Sequence, residues 1–163
     1  MRAHACAAGA PKGHLEEPDD QALGHSRGGF STKIHVMVDA LGNPLDFILT
    51  GGQAADITSA YPLIEDVSAT YSLMDKAYDA DALIEQLTQQ EIIPVIPPKA
   101  NRKEPREYDK PIYKERHLVE CFIGKLKQFR RVFSRFDKWA KNFINFVRFA
   151  SALIWLRWNV HRA

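Results

Sequence analysis

The order of apolar and polar residues predicts alternating strands and helices along most of the chain. Ile34, Val36 and Val38 alternate with other side chains within the stretch 30–39, which is the period of a half-buried β-strand. A Leu-Gly-Asn-Pro turn follows, and the apolar residues of 45–50 predict the returning strand. The pattern therefore indicates an antiparallel hairpin near the start of the folded region.

Two short apolar runs, 71–74 and 92–96, flank a helical pattern over 80–90. A strand, a helix and a strand at this spacing predict a βαβ unit with parallel strands. Asp75 directly follows the first strand, at the sheet edge where functional side chains emerge in parallel sheets. A loop or helix-capping role explains Asp75 equally well, and Asp79 fits that role too. Propensity alone does not separate the two aspartates.

A long amphipathic helix is predicted from Tyr113 to about Arg131. At 100° per residue, Tyr113, Arg116, Glu120 and Lys127 fall within an arc of about 60°. The opposite face is apolar and consists of Leu118, Val119, Cys121, Phe122, Leu126 and Phe129. One carboxylate among cations suits metal and phosphate binding. An ordinary solvent-exposed face with an Arg–Glu pair at i, i+4 explains the same residues, and spacing alone favours it.

Two further helices complete the predicted elements. Asp56 is placed to cap a helix that follows it. The last helix is expected over 139–159. The residues at the spacing of a packed face are Phe143, Val147, Ala150, Ile154 and Trp158. These apolar residues are predicted to be core residues and not a cofactor site.

Charge is distributed very unevenly along the chain. Residues 1–98 contain 5 Lys/Arg and 14 Asp/Glu, whereas residues 99–163 contain 17 Lys/Arg and 6 Asp/Glu. This favours a polyanionic partner, nucleic acid being the commonest, and a basic surface that aids solubility is the alternative. The loop over 97–111, called the basic loop below, lacks an apolar pattern and is either a phosphate-binding surface or a solvated linker. Its cations are Lys99, Arg102, Lys103 and Arg106.

Composition limits the location and the domain count. No apolar run approaches the roughly 20 residues that cross a bilayer, and the first residues do not form a signal peptide. Cys6 and Cys121 have no Cys or His neighbours at metal spacing, which indicates a reducing compartment. We therefore expect a cytoplasmic protein with no membrane partner, folded as a single domain over 1–163, with a loosely ordered lead-in over 1–27.

The predicted long helix carries a recognisable motif. The spacing Tyr113-x2-Arg116-x3-Glu120-x6-Lys127 resembles the Y-(2)-R-(3)-E-(6)-K signature of insertion-sequence transposases with a DDE active site. All four positions and all three gaps agree. The resemblance replaces the interpretation of this helix as an ordinary solvent-exposed face.

Other stretches resemble the same family in the same order. The block DKAYD at 75–79 is similar to the one around the family's second catalytic aspartate, usually DKGYD. The stretches 27–35, 52–56 and 96–103 also resemble family blocks. The resemblance thus covers nearly the whole chain.

The resemblance implies an α/β fold of the RNase H-like type, a mixed sheet flanked by helices, with three carboxylates around two divalent metal ions. By the match, Asp75 is the second catalytic carboxylate and Glu120 the third, and both are metal ligands. Mg²⁺ is the implied ion and Mn²⁺ the alternative, since hard ions prefer carboxylate oxygens. Tyr113, Arg116 and Lys127 are implied contacts for DNA phosphate.

The implied function is DNA transposition, by Mg²⁺-dependent cleavage and strand transfer at transposon ends. The implied partners are double-stranded DNA, as terminal inverted repeats and target DNA, and a second copy of the chain in a homodimer. The segment 99–163 would be the basic helical DNA-binding part. The alternative is a non-catalytic DNA-binding remnant or a regulator of transposition. A nuclease of the same fold ranks below both.

The chain departs from the family pattern in two places. The first catalytic aspartate of the family precedes the stretch that here is Arg2-Ala3-His4, and the sequence begins at Met1. We therefore expect a truncated first strand and a chain that is catalytically deficient alone. A frameshift product, a late annotated start and a decayed copy all fit this expectation. Ala77 replaces the usual glycine, which would cost energy if φ were positive there.

Overall fold

The computed structural model describes residues 1–8 and 20–160, with side chains as far as residue 157. These residues form two compact units. The first unit takes its residues from 1–54 and 121–163, and the second consists of residues 55–120. We describe each unit by itself.

The strands and helices follow one another along the chain in this order: β1 (Arg2–Ala3), α1 (Ala5–Ala8), β2 (Gly24–Ser26), β3 (Gly29–Val38), β4 (Pro44–Gly51), α2 (Ile57–Ile64), β5 (Tyr71–Leu73), α3 (Asp81–Gln89), β6 (Ile93–Val95), α4 (Lys110–Tyr113), α5 (His117–Leu126), α6 (Arg130–Phe133), β7 (Ser134–Arg135) and α7 (Ala140–Val160). Two short 3₁₀ turns lie at Lys76–Tyr78 and Lys114–Arg116.

The sheet of the first unit is mixed. Strands β3 and β4 form the predicted hairpin, in antiparallel register from Thr32 opposite Gly51 to Val38 opposite Pro44. Strand β3 also pairs antiparallel with β1 and β2, whereas β7 runs parallel to β1. A mixed sheet with helices confirms the expected α/β class and is compatible with an RNase H-like fold.

The core of the first unit lies between this hairpin and the later helices. It is built from large apolar side chains of β4, α5, α6 and α7: Phe47, Phe122, Leu126, Val132, Phe143, Val147 and Ala150. The last helix therefore lies within two residues of its predicted bounds, and Phe143, Val147 and Ala150 are buried as predicted, with Ile154 packed against them. The side chain of Trp158 lies outside the described residues. Removal of this much apolar surface from water is the main stabilising contribution in the unit.

A buried arginine joins several segments of the first unit. Arg135 is fully buried and donates to the carbonyl oxygens of Ala22, Asp137 and Lys138 and to the hydroxyl of Thr32. Burial lowers the pKa of Arg135 to about 10, against the nearby charges of Asp137 and Asp20, which raise it. The guanidinium remains charged at neutral pH, and its hydrogen bonds offset the cost of burying that charge.

The second unit contains the predicted βαβ arrangement. Strands β5 and β6 are parallel, with Tyr71 opposite Ile93 and Leu73 opposite Val95. They form a two-stranded sheet of their own and do not join the five-stranded sheet. The core of this unit is formed by side chains of α2, α3 and the ends of β6: Ala60, Ile64, Leu83, Leu87, Ile92 and Ile96.

The prediction of one continuous helix from Tyr113 to about Arg131 is wrong. Asp109 caps α4 through the Ile112 amide, a 3₁₀ turn follows α4, and α5 ends at Leu126. A 3₁₀ turn advances about 120° per residue, so the arc calculated at 100° does not hold across it. Beyond α5, Phe129 is extended (φ −78°, ψ 112°) and packs against the core of the first unit.

The structure also tests predictions about the lead-in, Cys121, Ala77 and membrane-spanning helices. Residues 9–19 of the expected lead-in lie outside the described residues, while 1–8 and 20–27 include β1, α1 and β2. Cys121, expected on the apolar face, is exposed. Positive φ outside glycine occurs at Ala22 and Glu91 among the described residues, so the conditional strain at Ala77 does not arise. No helix in the described part of the chain is long and apolar enough to cross a membrane.

Candidate active site and basic loop

Asp75 lies where the sequence predicted, just beyond the carboxyl end of the parallel strand β5. Its Oδ1 accepts a hydrogen bond from the amide of Ala77 at 2.8 Å, which caps the 3₁₀ turn that follows. The interpretation of Asp75 as a turn cap is therefore confirmed, and its role as a functional group stays a prediction. Its side chain is 41% exposed, so the carboxylate remains accessible to solvent.

Arg116 lies between two carboxylates. Its Nη1 donates to Oε1 of Glu120 at 2.5 Å, and its Nη2 is 3.6 Å from Oδ2 of Asp75. The first distance is a hydrogen-bonded ion pair, whereas the second is an electrostatic contact beyond hydrogen-bond length. The predicted Arg–Glu pair is thus present, and the same guanidinium also draws in an aspartate from a distant part of the chain.

The charges around Arg116 determine its ionisation. Burial opposes the positive charge of the guanidinium, but the hydrogen bond to Glu120 and the charges of Glu120 and Asp75 outweigh it and raise the pKa of Arg116. The side chain is therefore a permanent cation. It screens two carboxylates that would otherwise repel each other.

Tyrosine side chains also belong to this site. Burial, together with the charges of Asp56 and Asp75, raises the pKa of Tyr78 to about 12. Burial likewise raises the pKa of Tyr113, whose ring packs edge-on against Tyr108 with centroids 5.5 Å apart. Both phenols stay protonated at neutral pH and can donate hydrogen bonds.

Sequence reasoning gave Tyr78 no role, although it lies within the DKAYD block that carried the resemblance. Asp56 occupies the residue before α2, as predicted, but its side chain makes no capping hydrogen bond. Its charge acts instead on the phenol of Tyr78. Only the folded chain shows the effect of Asp56 on Tyr78, because the two residues are distant in sequence.

The surroundings of Asp79 differ from those of Asp75. Its side chain is 2% exposed and accepts from the Lys99 amide at 2.8 Å, from Arg102 Nε at 2.9 Å and from Arg106 Nη1 at 2.9 Å. Burial would raise the pKa of Asp79, but these hydrogen bonds and charges lower it. The Asp79 carboxylate is thus saturated by donors and anchors the basic loop.

The basic loop is therefore not simply a solvated linker. Arg102 and Arg106 also both donate to Oδ1 of Asp81, at the start of α3. These hydrogen bonds lower the pKa of Asp81. Arg102 and Arg106 thus each contact both Asp79 and Asp81, and these contacts link the basic loop to the beginning of α3.

The remaining predicted cations lie in two different places. Lys99 is half-buried and Lys103 is exposed, both in the basic loop. Lys127 is exposed in the turn after α5, and its amide donates to the Ile123 carbonyl at 3.0 Å. Lys127 belongs to the first unit, whereas Tyr113 and the other motif residues belong to the second.

The carboxylate groups around Arg116 are of the chemical type that binds divalent metal ions. Asp75 and Glu120 offer exposed carboxylate oxygens, which hard ions prefer. Within residues 1–8 and 20–160, no group of three or more His, Cys, Asp or Glu is placed to hold a metal ion. Asp75 and Glu120 are therefore the two carboxylates that contact Arg116 at this site.

The comparisons with known proteins agree with the family that the sequence resembles. A model of the family described as "Transposase DDE domain" matches residues 10–155. The chain belongs to the DDE transposase family. DDE transposases act on DNA and generally use divalent metal ions, so membership of the family supports DNA as a partner of this chain.

Two relatives show how much of a transposase is present. The chain is 39% identical over 132 residues to a protein of Brucella ovis named as a transposase for insertion sequence element IS6501, covering 78% of the chain and 99% of that protein. It is 32% identical over 143 residues to one of Burkholderia cepacia named for IS402, covering 80% of the chain and 64% of that protein. The chain thus spans less than two thirds of the IS402 relative. No solved structure matches it significantly.

Proposed function

We propose that Asp75 and Glu120 are the catalytic carboxylates that this chain contributes to Mg²⁺-dependent cleavage and strand transfer at transposon ends. The observation that carries the proposal is the guanidinium of Arg116, which lies between the two carboxylates. Asp75 comes from the end of a strand and Glu120 from a helix, so folding has brought them to one cation. A solvated helix face would need only the Arg116–Glu120 pair.

Asp75 and Glu120 would be the metal ligands, with Mg²⁺ as the ion and Mn²⁺ as the alternative. When bound, a divalent ion activates the attacking oxygen and stabilises the leaving oxygen of an in-line displacement at phosphorus. The family's site takes a third carboxylate, and the expectation that this chain is catalytically deficient alone stays a prediction.

The chain's own cations and phenols would hold the DNA. The planar guanidinium of Arg116 suits bidentate contact with a phosphate, and Glu120 orients it. The phenol of Tyr113 stays protonated and can donate to a phosphate oxygen. Lys127 would add a point charge. The partners would be terminal inverted repeats and target DNA; a homodimer and a cytoplasmic location stay predictions.

The first test is metal binding by this chain, measured by Mn²⁺ electron paramagnetic resonance. Asp75→Asn and Glu120→Gln should each weaken Mn²⁺ binding by more than about tenfold, since loss of even an outer-shell partner costs that much. Asp66→Asn is the matched control, because Asp66 is an exposed aspartate of the same unit. Unchanged Mn²⁺ affinity in both site variants would show that the assignment of the ligands is wrong.

The second test is strand transfer on DNA carrying terminal repeats, with this chain and with a chain extended by the residues encoded upstream. Activity that requires the extension supports the predicted deficiency, and activity of this chain alone contradicts it. In the active form, Asp75→Asn and Glu120→Gln should abolish both cleavage and joining. DNA binding without any effect of these variants would favour the non-catalytic DNA-binding protein instead.

A further inference from the structure

The basic loop brings two guanidinium groups to one exposed carboxylate oxygen. Nη2 of Arg102 lies 2.7 Å from Oδ1 of Asp81, and Nη2 of Arg106 donates to the same oxygen. Two guanidinium groups converging on one anionic oxygen make a geometry that a phosphate oxygen also satisfies. Oδ1 of Asp81 is therefore an anionic oxygen held between two guanidinium groups.

The two aspartates that contact these arginines differ in exposure. The side chain of Asp79 is 2% exposed and also accepts from the Lys99 amide, so it is fixed by buried hydrogen bonds. The side chain of Asp81 is 77% exposed. Water and salt compete with an ion pair at the surface, which makes the contacts of Asp81 easily exchanged. Asp79 therefore orients the two guanidinium groups through buried oxygens, whereas Asp81 contacts them through an exposed carboxylate.

We propose that Arg102 and Arg106 form a binding site for a backbone phosphate of DNA, which Asp79 preorganises and Asp81 occupies until DNA displaces it. The proposal rests on the proposed function for its partner, because a transposase must hold DNA. Lys99 and Lys103 lie in the same loop and add positive charge, which favours a polyanion. Displacement of Asp81 exchanges one set of charge-assisted hydrogen bonds for another and involves no covalent step.

Two single substitutions on α3 separate this site from a general effect of charge. Asp81→Asn and Glu85→Gln each remove one exposed negative charge from the same helix. Glu85 accepts a hydrogen bond from Gln89. The affinity for a fluorescein-labelled DNA duplex of mixed sequence is measured by fluorescence anisotropy over a series of salt concentrations.

Asp81→Asn should tighten DNA binding about fivefold, which is the scale of an exposed ion pair, and steepen the salt dependence by about one counterion. Glu85→Gln should change the affinity less than about twofold, because distant exposed charges are screened. Asp81→Ser, which keeps a hydroxyl in the first turn of α3, should act like Asp81→Asn. Circular dichroism of each variant establishes that it is folded.

The same substitution is then made in a chain that carries Arg102→Ala and Arg106→Ala. There Asp81→Asn should have no more effect than Glu85→Gln. Equal effects of Asp81→Asn and Glu85→Gln in the wild-type background would overturn the proposal, as would tightening that persists without the arginines. Either result leaves the Mn²⁺ experiment on Asp75 and Glu120 unaffected, so failure of this site is distinguishable from failure of the catalytic assignment.

Discussion

Asp75 and Asp79 flank the same 3₁₀ turn, and their surroundings give them different chemistry. Asp75 is 41% exposed and contacts a guanidinium that Glu120 shares. Asp79 is 2% exposed and has its hydrogen-bonding capacity taken up by Arg102, Arg106 and the loop backbone. An accessible carboxylate can exchange partners for a metal ion, whereas a saturated and buried one stabilises structure.

Asp79→Asn should therefore destabilise the fold by about 3 kcal/mol, the lower end of the cost of breaking a buried ion pair. Urea unfolding followed by circular dichroism measures the change in the free energy of unfolding. Asp66→Asn, at an exposed position, should change that free energy by less than about 0.5 kcal/mol. A change of similar size in both variants would contradict the anchoring role of Asp79.

The contribution of Asp79 should also depend on pH. Its pKa in the folded chain is lowered, so the stabilisation is present above the ordinary aspartate pKa of about 3.9 and is lost as pH falls through the folded value. The difference in free energy of unfolding between wild type and Asp79→Asn should therefore shrink between about pH 5 and pH 2. A difference that stays constant over this range would show that the carboxylate charge is not involved.

Helix α5 shows how an element can be recognised by its motif and still differ from its predicted shape. Phe122 and Leu126 are buried, as the amphipathic pattern predicted. The element ends at Leu126, however, and Gly124 lies in its last turns. Glycine lowers helix propensity by about 1 kcal/mol relative to alanine, which favours an early end. Motif spacing is a property of the sequence, whereas helix length also depends on where Phe129 packs.

Gly124→Ala should stabilise the protein by about 0.5–1 kcal/mol, because an added Cβ meets no atom within 4 Å and helix propensity rises. The same substitution at Gly29 should destabilise it by about 1–3 kcal/mol, since φ is +96° there. Thermal unfolding of the two variants shows whether each substitution raises or lowers the stability of the protein. Destabilisation by Gly124→Ala would show that the end of α5 tolerates no additional helix propensity.

The positive charge of the chain is concentrated in its last 65 residues, which contain 17 Lys/Arg and 6 Asp/Glu. Folding uses some of these cations internally, since Arg102, Arg106, Arg116 and Arg135 all bond to protein groups. The excess still leaves exposed cations on α7, such as Arg148. A surface of this kind binds DNA largely by releasing counterions, which makes the affinity depend strongly on salt.

Arg148→Gln should therefore weaken DNA binding and reduce the slope of log affinity against log salt by about one. Arg27→Gln is the matched control, because Arg27 is also exposed but lies in the acidic part of the sequence. Its slope should remain at the wild-type value. Equal losses in the two variants would argue against a DNA-binding surface on α7.

The sequence by itself determined the β3–β4 hairpin, the parallel βαβ unit, the last helix and the transposase motif, because periodicity and spacing are local properties. Tertiary structure decided which aspartate is accessible at the end of β5, that Arg116 joins Asp75 to Glu120, and that two arginines of the basic loop bind carboxylates. It also placed β5 and β6 in a separate sheet and ended α5 early. These features depend on burial and on charges that meet across long stretches of chain, which residue order alone does not specify.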